Sequence, residues 1–313
     1  MTTRQAGASF GPVAVCYTKI AMATSQKNTL YQHDITSIAD LSSPELALLL
    51  NTASLLKGQA SRPLLKGKTL ALLFEKPSLR TRVSFEVAMR QLGGECLYLS
   101  PAEVGLGQRE PVADVARTLS RYVECIAART FAHQTVVELA HWADVPVINA
   151  LSDQEHPCQA LADLLTVKEK KGGLAGVSLA FIGDGNNVAA SLCLAAAMAG
   201  IHFRIASPDG YQLAPALLER AQAEAAASGG SVTLCCLAEE AAAGADVIYT
   251  DVWTSMGQEG EAEQRRTAFT GYQVNDALLD LATPDAIVMH DLPAHRGEEI
   301  TAEVMEGPRS VVF

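Results

Sequence analysis

Residues 69–92 read TLALLF, EKPS, LRTRVSFEVAMRQL. The first block, Thr69–Phe74, is an unbroken apolar run, and its only polar residue is the leading Thr69. A strand with water on one face alternates apolar and polar residues. An unbroken run this short is a strand buried on both faces, which is the signature of a parallel sheet. The second block carries Pro77 and Ser78 and reads as a loop. The third reads as a helix reaching about Leu92, with Gly93-Gly94 as its stop signal. Strand, loop and helix in this order form half of a βαβ unit, because parallel strands need a crossover between them.

The same alternation extends in both directions. Upstream, Ser42-Ser43-Pro44 opens a helix, with a Ser N-cap and Pro at the first helical position. Downstream, strands are expected near Leu97–Leu99, Cys125–Ala128 and Val145–Asn149, with helical stretches between them. The second half gives strands at Val177–Ile182, His202–Ala206, Val232–Cys235, Val247–Thr250 and Ala286–Met289, and a helix over Asn187–Ala199. About ten strands suit two α/β domains better than one sheet. The polar stretch Ser152-Asp153-Gln154-Glu155 places the boundary near Ala150–His156. The expected fold is therefore two doubly wound parallel-sheet α/β domains, residues 34–152 and 153–313. Ligands in such folds bind at the carboxyl ends of strands, so the active site is expected in the interdomain cleft.

Composition narrows the function classes. Of 313 residues, 49% are hydrophobic, enough for a sizeable core. The net charge of −11 argues against non-specific nucleic-acid or anionic-membrane partners. No apolar run is long enough to span a membrane. The seven cysteines (16, 96, 125, 158, 193, 235 and 236) are odd in number and form no C-x-x-C pair. This points to a reducing compartment, and the expected localisation is cytoplasmic. Residues 1–33 contain Arg4, Lys19 and Lys27 but no acid. They read as an N-terminal arm that is either disordered or a targeting segment for a plastid or the mitochondrial matrix.

The start of the helix after Phe74 carries the chemistry. A helix N-terminus presents free N–H groups and partial positive charge. Ser78 and Thr81 add hydroxyls, and Arg80 adds a fork that matches phosphate. Together they make a phosphate cradle without a Walker glycine loop. A second segment, Gly183-x-Gly185-x-x-Val188, half-matches the dinucleotide fingerprint, with Asp209 as the candidate ribose acid, so an oxidoreductase stays open on this pattern. His33, His133, His141 and His202 have no ligand spacing, and no metal is expected.

S-x-R-T-R after a buried strand resembles the carbamoyl-phosphate signature of the aspartate/ornithine transcarbamoylase family. Further segments agree in order: Ala128-Arg129-Thr130-Phe131; His156-Pro157-Cys158-Gln159; Gly183-Asp184-Gly185-Asn186-Asn187; Asp251-Val252-Trp253-Thr254-Ser255-Met256-Gly257; and His290-Asp291-Leu292-Pro293, followed by Glu298-Glu299. The likeness runs from about residue 34 to the end. It implies that carbamoyl phosphate is held by Ser78, Leu79, Arg80, Thr81, Arg129, His156, Gln159, Asp291 and Leu292. It implies that ornithine is held by Asn187, Asp251, Ser255 and Met256. Arg80, Arg129, His156 and Asp291 would be the catalytic set. The implied reaction gives citrulline and phosphate, a step of arginine biosynthesis, with no cofactor and with assembly as a homotrimer or a multiple of it.

The sequence departs from the family pattern in places. Asp291 stands where the family loop has Cys. Gly105 stands where many relatives lend a polar side chain to a neighbouring subunit. The family continues past the position of Phe313 through an E-N-R segment, whose Arg contacts carbamoyl phosphate, into a last helix. These departures leave two other readings open: a transcarbamoylase for another amine, and a catalytically impaired ligand-binding paralogue.

Overall fold

The computed structural model describes residues 29–58, 63–107, 109–255 and 257–313. The fold below is that of Asp34–Phe313, which forms one compact unit. The expected N-terminal arm falls almost wholly outside the described residues, and so does Met256.

The first sheet has four parallel strands: β1 (Thr69–Phe74), β2 (Glu95–Leu99), β3 (Cys125–Arg129) and β4 (Val147–Leu151), in spatial order β2-β1-β3-β4. The second has five: β5 (Ser178–Ile182), β6 (His202–Ala206), β7 (Ser231–Cys235), β8 (Val247–Thr250) and β9 (Ile287–His290), in order β7-β6-β5-β8-β9. Both are parallel α/β sheets, as expected. In each, chain order reverses at one pair of strands, β1/β3 in the first and β5/β8 in the second. A crevice opens at the carboxyl ends of such a pair because the connections leave in opposite directions.

Burial follows the sequence pattern. From Leu70 to Phe74, β1 is at most 4% exposed, and β8 is buried throughout. Helix Asn187–Met198 is apolar almost all round and sits inside the second domain, against helices Pro157–Lys171 and Pro215–Ser228. Helix Ser43–Lys57 starts as read, with Ser42 at the N-cap. The N–H and hydroxyl of Ser42 both donate to Glu45, at 2.9 and 2.7 Å. Pro44 falls at the second helical position rather than the first.

Strand edges moved where pairing, not hydrophobicity, decides them. β4 begins at Val147 rather than Val145, because its ladder with β3 starts where Ile126 N–H donates to Pro146 O. It runs on to Leu151, opposite Arg129 beyond an irregularity in the register.

Gly185 shows why the dinucleotide-like glycines are present. A Cβ there would lie 2.5 Å from Leu213 N, and its N–H donates to Tyr211 O at 2.7 Å. In the dinucleotide motif the second glycine lets a pyrophosphate approach. In this chain that approach is taken by the chain's own backbone over Tyr211–Leu213.

Candidate active site

The two crevices open onto one cavity of about 730 Å³. Its lining includes Ser78, Leu79, Arg80, Thr81, Arg129, His156, Gln159, Asn187, Asp251, Ser255, Asp291 and Leu292. Every described residue of the sequence-derived set is there, drawn from the ends of β1, β3, β5, β8 and β9 and from the start of helix Pro157–Lys171.

The wall beyond β1 and β3 is cationic. Ser78 caps helix Leu79–Gln91 and accepts from Thr81 N at 3.3 Å. The N–H groups of the first turn have no partner inside the helix. The Leu79 side chain is 75% exposed, so the contribution of this position is its backbone. Arg82, in the same motif, is held by Glu86 at 2.8 Å and stacks 3.7 Å from the Tyr98 ring, which makes it a packing residue. Arg129 ends β3, and its Nε is buried without a hydrogen-bond partner. Burial, then the nearby Arg80 charge, lowers its pKa, against the pull of Asp291. A half-buried guanidinium with an orphaned donor and a cation beside it is a site for an anion. Lys76, to which the sequence reading gave no role, joins this wall. Burial and then Arg129 lower its pKa, and its ammonium lies 4.8 Å from the Phe131 ring centroid.

His156 sits between the walls as the N-cap of helix Pro157–Lys171. Its N–H donates to Ser191 Oγ at 2.9 Å, and its Nδ1 is buried and unpartnered. Burial brings its pKa down to about 4, so the ring is neutral at pH 7. A neutral imidazole can donate one hydrogen bond to a carbonyl without adding charge.

The far wall, beyond β8 and β9, is acidic. Asp251 is buried. Its oxygens accept from Asn186 Nδ2 at 2.7 Å and Val252 N at 2.6 Å. Burial, then the charge and hydrogen bond of Asp291, push its pKa well above the carboxylate range. Burial works the same way on Asp291, but the neighbouring His290 and Asp251 outweigh it and hold the group low. The two shifts run in opposite directions, as expected of two buried carboxyls that compete for one proton.

His290 and Glu299 stand behind this pair. Burial alone would lower the His290 pKa, but Asp291 and Glu299 outweigh it and raise it to about 9. The geometry opposes a second ring proton. Leu292 N–H donates to Nδ1 at 2.9 Å, closer than the 3.4 Å between Nδ1 and Asp291 Oδ1. With Nδ1 accepting, Nε2–H donates to Glu299 at 3.1 Å. Asp291 Oδ1 is then left buried without a partner, an acceptor ready for an ammonium. The Leu292 bond also holds that residue at φ 64°, a left-handed conformation costing on the order of 1 kcal/mol for a non-glycine.

Asn187 lines the cavity, but its amide nitrogen donates to Ser152 O at 2.7 Å, so it ties the interdomain segment to the site. Asn186, rather than Asn187, is the residue bonded to Asp251. Ser255 N–H donates to Gln258 Oε1 at 3.1 Å. Thr254 also lines the cavity, and its hydroxyl is buried and unpartnered. Arg265 fixes the loop from below, donating to Asp184 at 2.7 Å and Trp253 O at 2.8 Å. No sequence spacing announces Arg265, since its partners lie on two other loops.

Two parallel-sheet domains whose strand ends share one cavity, cationic on one wall and carboxylate-rich on the other, define an α/β protein built to bring an anion and an amine together. Two family models match the chain. One is the aspartate/ornithine carbamoyltransferase carbamoyl-P binding domain, over residues 33–169, and the other is the Asp/Orn binding domain, over 175–313. The chain belongs to the aspartate/ornithine carbamoyltransferase family. It is 57% identical over 276 residues to an ornithine carbamoyltransferase of Acidothermus cellulolyticus, covering 88% of each chain. It is 53% identical over 292 residues to that of Bacillus subtilis, covering 93% of this chain and 92% of that one. Among solved structures, the ornithine carbamoyltransferase of Pyrococcus furiosus superposes with a TM-score of 0.88 at 50% identity, over 90% of this chain and 92% of that one.

Proposed function

We infer that this chain transfers the carbamoyl group of carbamoyl phosphate to the side-chain amine of ornithine, giving citrulline and phosphate. The observation that carries the reading is one cavity holding Arg80, Arg129 and His156 on one side and the proton-sharing Asp251–Asp291 pair on the other. Ser78, Thr81, Arg80, Arg129 and the backbone at Leu79 hold the phosphate. Their charge neutralises the leaving group as the C–O bond to phosphate breaks. His156 donates to the carbonyl oxygen, and Gln159 binds the carbamoyl amide. Asp251, Asn187, Ser255 and Met256 hold the amino-acid end of ornithine. Leu292 and Asp291 close over the carbonyl and the amine. The neutral amine forms the new C–N bond, and the proton it sheds leaves with phosphate or through Asp291.

The carbamoyl-phosphate domain is residues 34–152 and the ornithine domain 153–313. The chain works as a homotrimer or a multiple of it. Leu79, Val83 and Val87 support self-association, since they line one exposed face of a helix that buries no residue within the chain. The activity belongs to arginine biosynthesis in the cytoplasm, a setting that suits the free thiols at Cys96, Cys125, Cys158, Cys193, Cys235 and Cys236. Among the described residues no helix is long and apolar enough to cross a membrane. A citrulline assay with both substrates tests the reading. Citrulline formed at the expense of carbamoyl phosphate is the expected result. Absence of carbamoyl-phosphate binding overturns it.

A second reading, an impaired ligand-binding paralogue, is favoured by Asp291 alone, because a carboxylate beside the amine stabilises its unreactive ammonium form. Tight binding of both substrates without turnover would establish it.

A further inference from the structure

Asp163 lies one helical turn beyond Gln159 and points away from the cavity. It is 5% exposed and both of its oxygens are engaged. Gln159 Nε2 donates to Oδ1 at 2.9 Å, and the hydroxyl of Tyr249, a fully buried residue of β8, donates to Oδ2 at 3.0 Å. A carboxylate can only accept. Facing one, the Gln159 amide must turn its nitrogen inward, which leaves its carbonyl oxygen as the atom for the cavity.

We propose that Asp163 is a positioning residue: held by Tyr249, it locks the Gln159 amide so that the site presents an acceptor and selects an acyl phosphate bearing an NH₂ group over one bearing a methyl. The inference rests on the carbamoyl-phosphate reading and adds the source of its selectivity. A free glutamine amide can present either end to a ligand. The lock removes the orientation that would offer a donor where the carbamoyl NH₂ must sit.

The lock depends on Asp163 being ionised. Burial raises its pKa to about 7, against the hydrogen bonds from Gln159 and Tyr249. The groups facing it are Gln159 from its own helix, Tyr249 from β8, and the more distant Asp291, which raises the value, and His290, which lowers it. Once protonated, Asp163 can donate to Gln159 Oε1, and the amide is free to turn over.

The test compares binding of carbamoyl phosphate, acetyl phosphate and inorganic phosphate to the intact protein and to Asp163→Asn. An asparagine can face Gln159 with either its oxygen or its nitrogen, and Tyr249 can accept or donate in turn, so the packing is kept and the lock is lost. The preference for carbamoyl over acetyl phosphate should fall roughly tenfold, the worth of one well-placed hydrogen bond, while inorganic phosphate binds as before. An unchanged preference overturns the proposal, and so does an equal loss for all three ligands. If the parent binds no carbamoyl phosphate, the functional reading itself has failed. Should the variant not fold, the parent decides. The two acyl phosphates share their phosphate chemistry, so its ionisation largely cancels in their ratio. That ratio should rise as pH increases through about 7, where Asp163 ionises, and a flat ratio overturns the lock.

Discussion

The two walls of the cavity are built by opposite means. The cationic wall comes from one short stretch at the end of β1, with Arg129 added from the neighbouring strand. Ser78 and Thr81 are half-buried, Arg80 is exposed, and a local helix start does most of the organising. The acidic wall lies deeper, and its groups come from three loops: Asn186 after β5, Asp251 after β8, and Asp291 and Glu299 after β9. Guanidinium groups keep their charge whatever binds. Buried carboxylates must share a proton to coexist. One end of the site is thus ready for an anion at any ordinary pH, while the other is coupled to protons.

The sharpest break in this comparison is Arg80→Ala. It removes a charge-assisted contact that strengthens as charge builds on the leaving phosphate. The expected loss is roughly 3 kcal/mol or more, over a hundredfold in kcat/KM. Steady-state kinetics with carbamoyl phosphate varied will read it. Turnover within a few-fold of the parent would mean that the phosphate lies elsewhere.

Proton linkage comes next. L-norvaline has the backbone of ornithine without the side-chain amine, so the side chain is removed as a source of protons. If its α-ammonium enters beside Asp251, that carboxyl should ionise. Binding should then release up to about one proton, and affinity should rise by up to about tenfold per pH unit below the Asp251 pKa. Calorimetry in buffers of different ionisation enthalpy measures the release. A proton-silent norvaline signal would remove the shared proton from Asp251–Asp291.

The same contrast explains what the sequence made legible. Thr69–Phe74 and Val247–Thr250 were bounded correctly, because buried parallel strands are written as apolar runs, and His202–Ala206 was bounded correctly although His202 and Arg204 interrupt its run. The phosphate cradle was legible because Ser78, Arg80 and Thr81 are neighbours in the chain. The acidic wall was legible only by resemblance, since nothing in the spacing of Asp251 and Asp291 says that they meet. Asn186, Thr254 and Arg265 were passed over for the same reason. Arg265 earns its position through Asp184 and Trp253 O, which lie 81 and 12 residues away in sequence. Such partners are fixed by tertiary closure and leave no local pattern.

The smallest expected effect is at Asp291. Ornithine reaches the site with its side-chain amine protonated, since an alkyl ammonium of this kind has a pKa of about 10.4. Only the neutral amine attacks the carbonyl. An ionised Asp291 within about 4–6 Å favours the ammonium and raises that pKa further, so it tightens ornithine binding and thins the reactive population. The protein holds Asp291 in its charged form, with Oδ1 unpartnered, which strengthens this effect. A neutral thiol at this position removes it. Asp291→Cys should therefore raise kcat a few-fold at pH 7–8, weaken ornithine binding, and move the pH optimum downward, because less alkali is needed to free the amine. A pH–rate profile of the two proteins side by side reads all three. If kcat falls instead, Asp291 is taking the amine's proton as a base. In that case His290 and Glu299 are its support, and the acidic wall takes part in the chemistry as well as the binding.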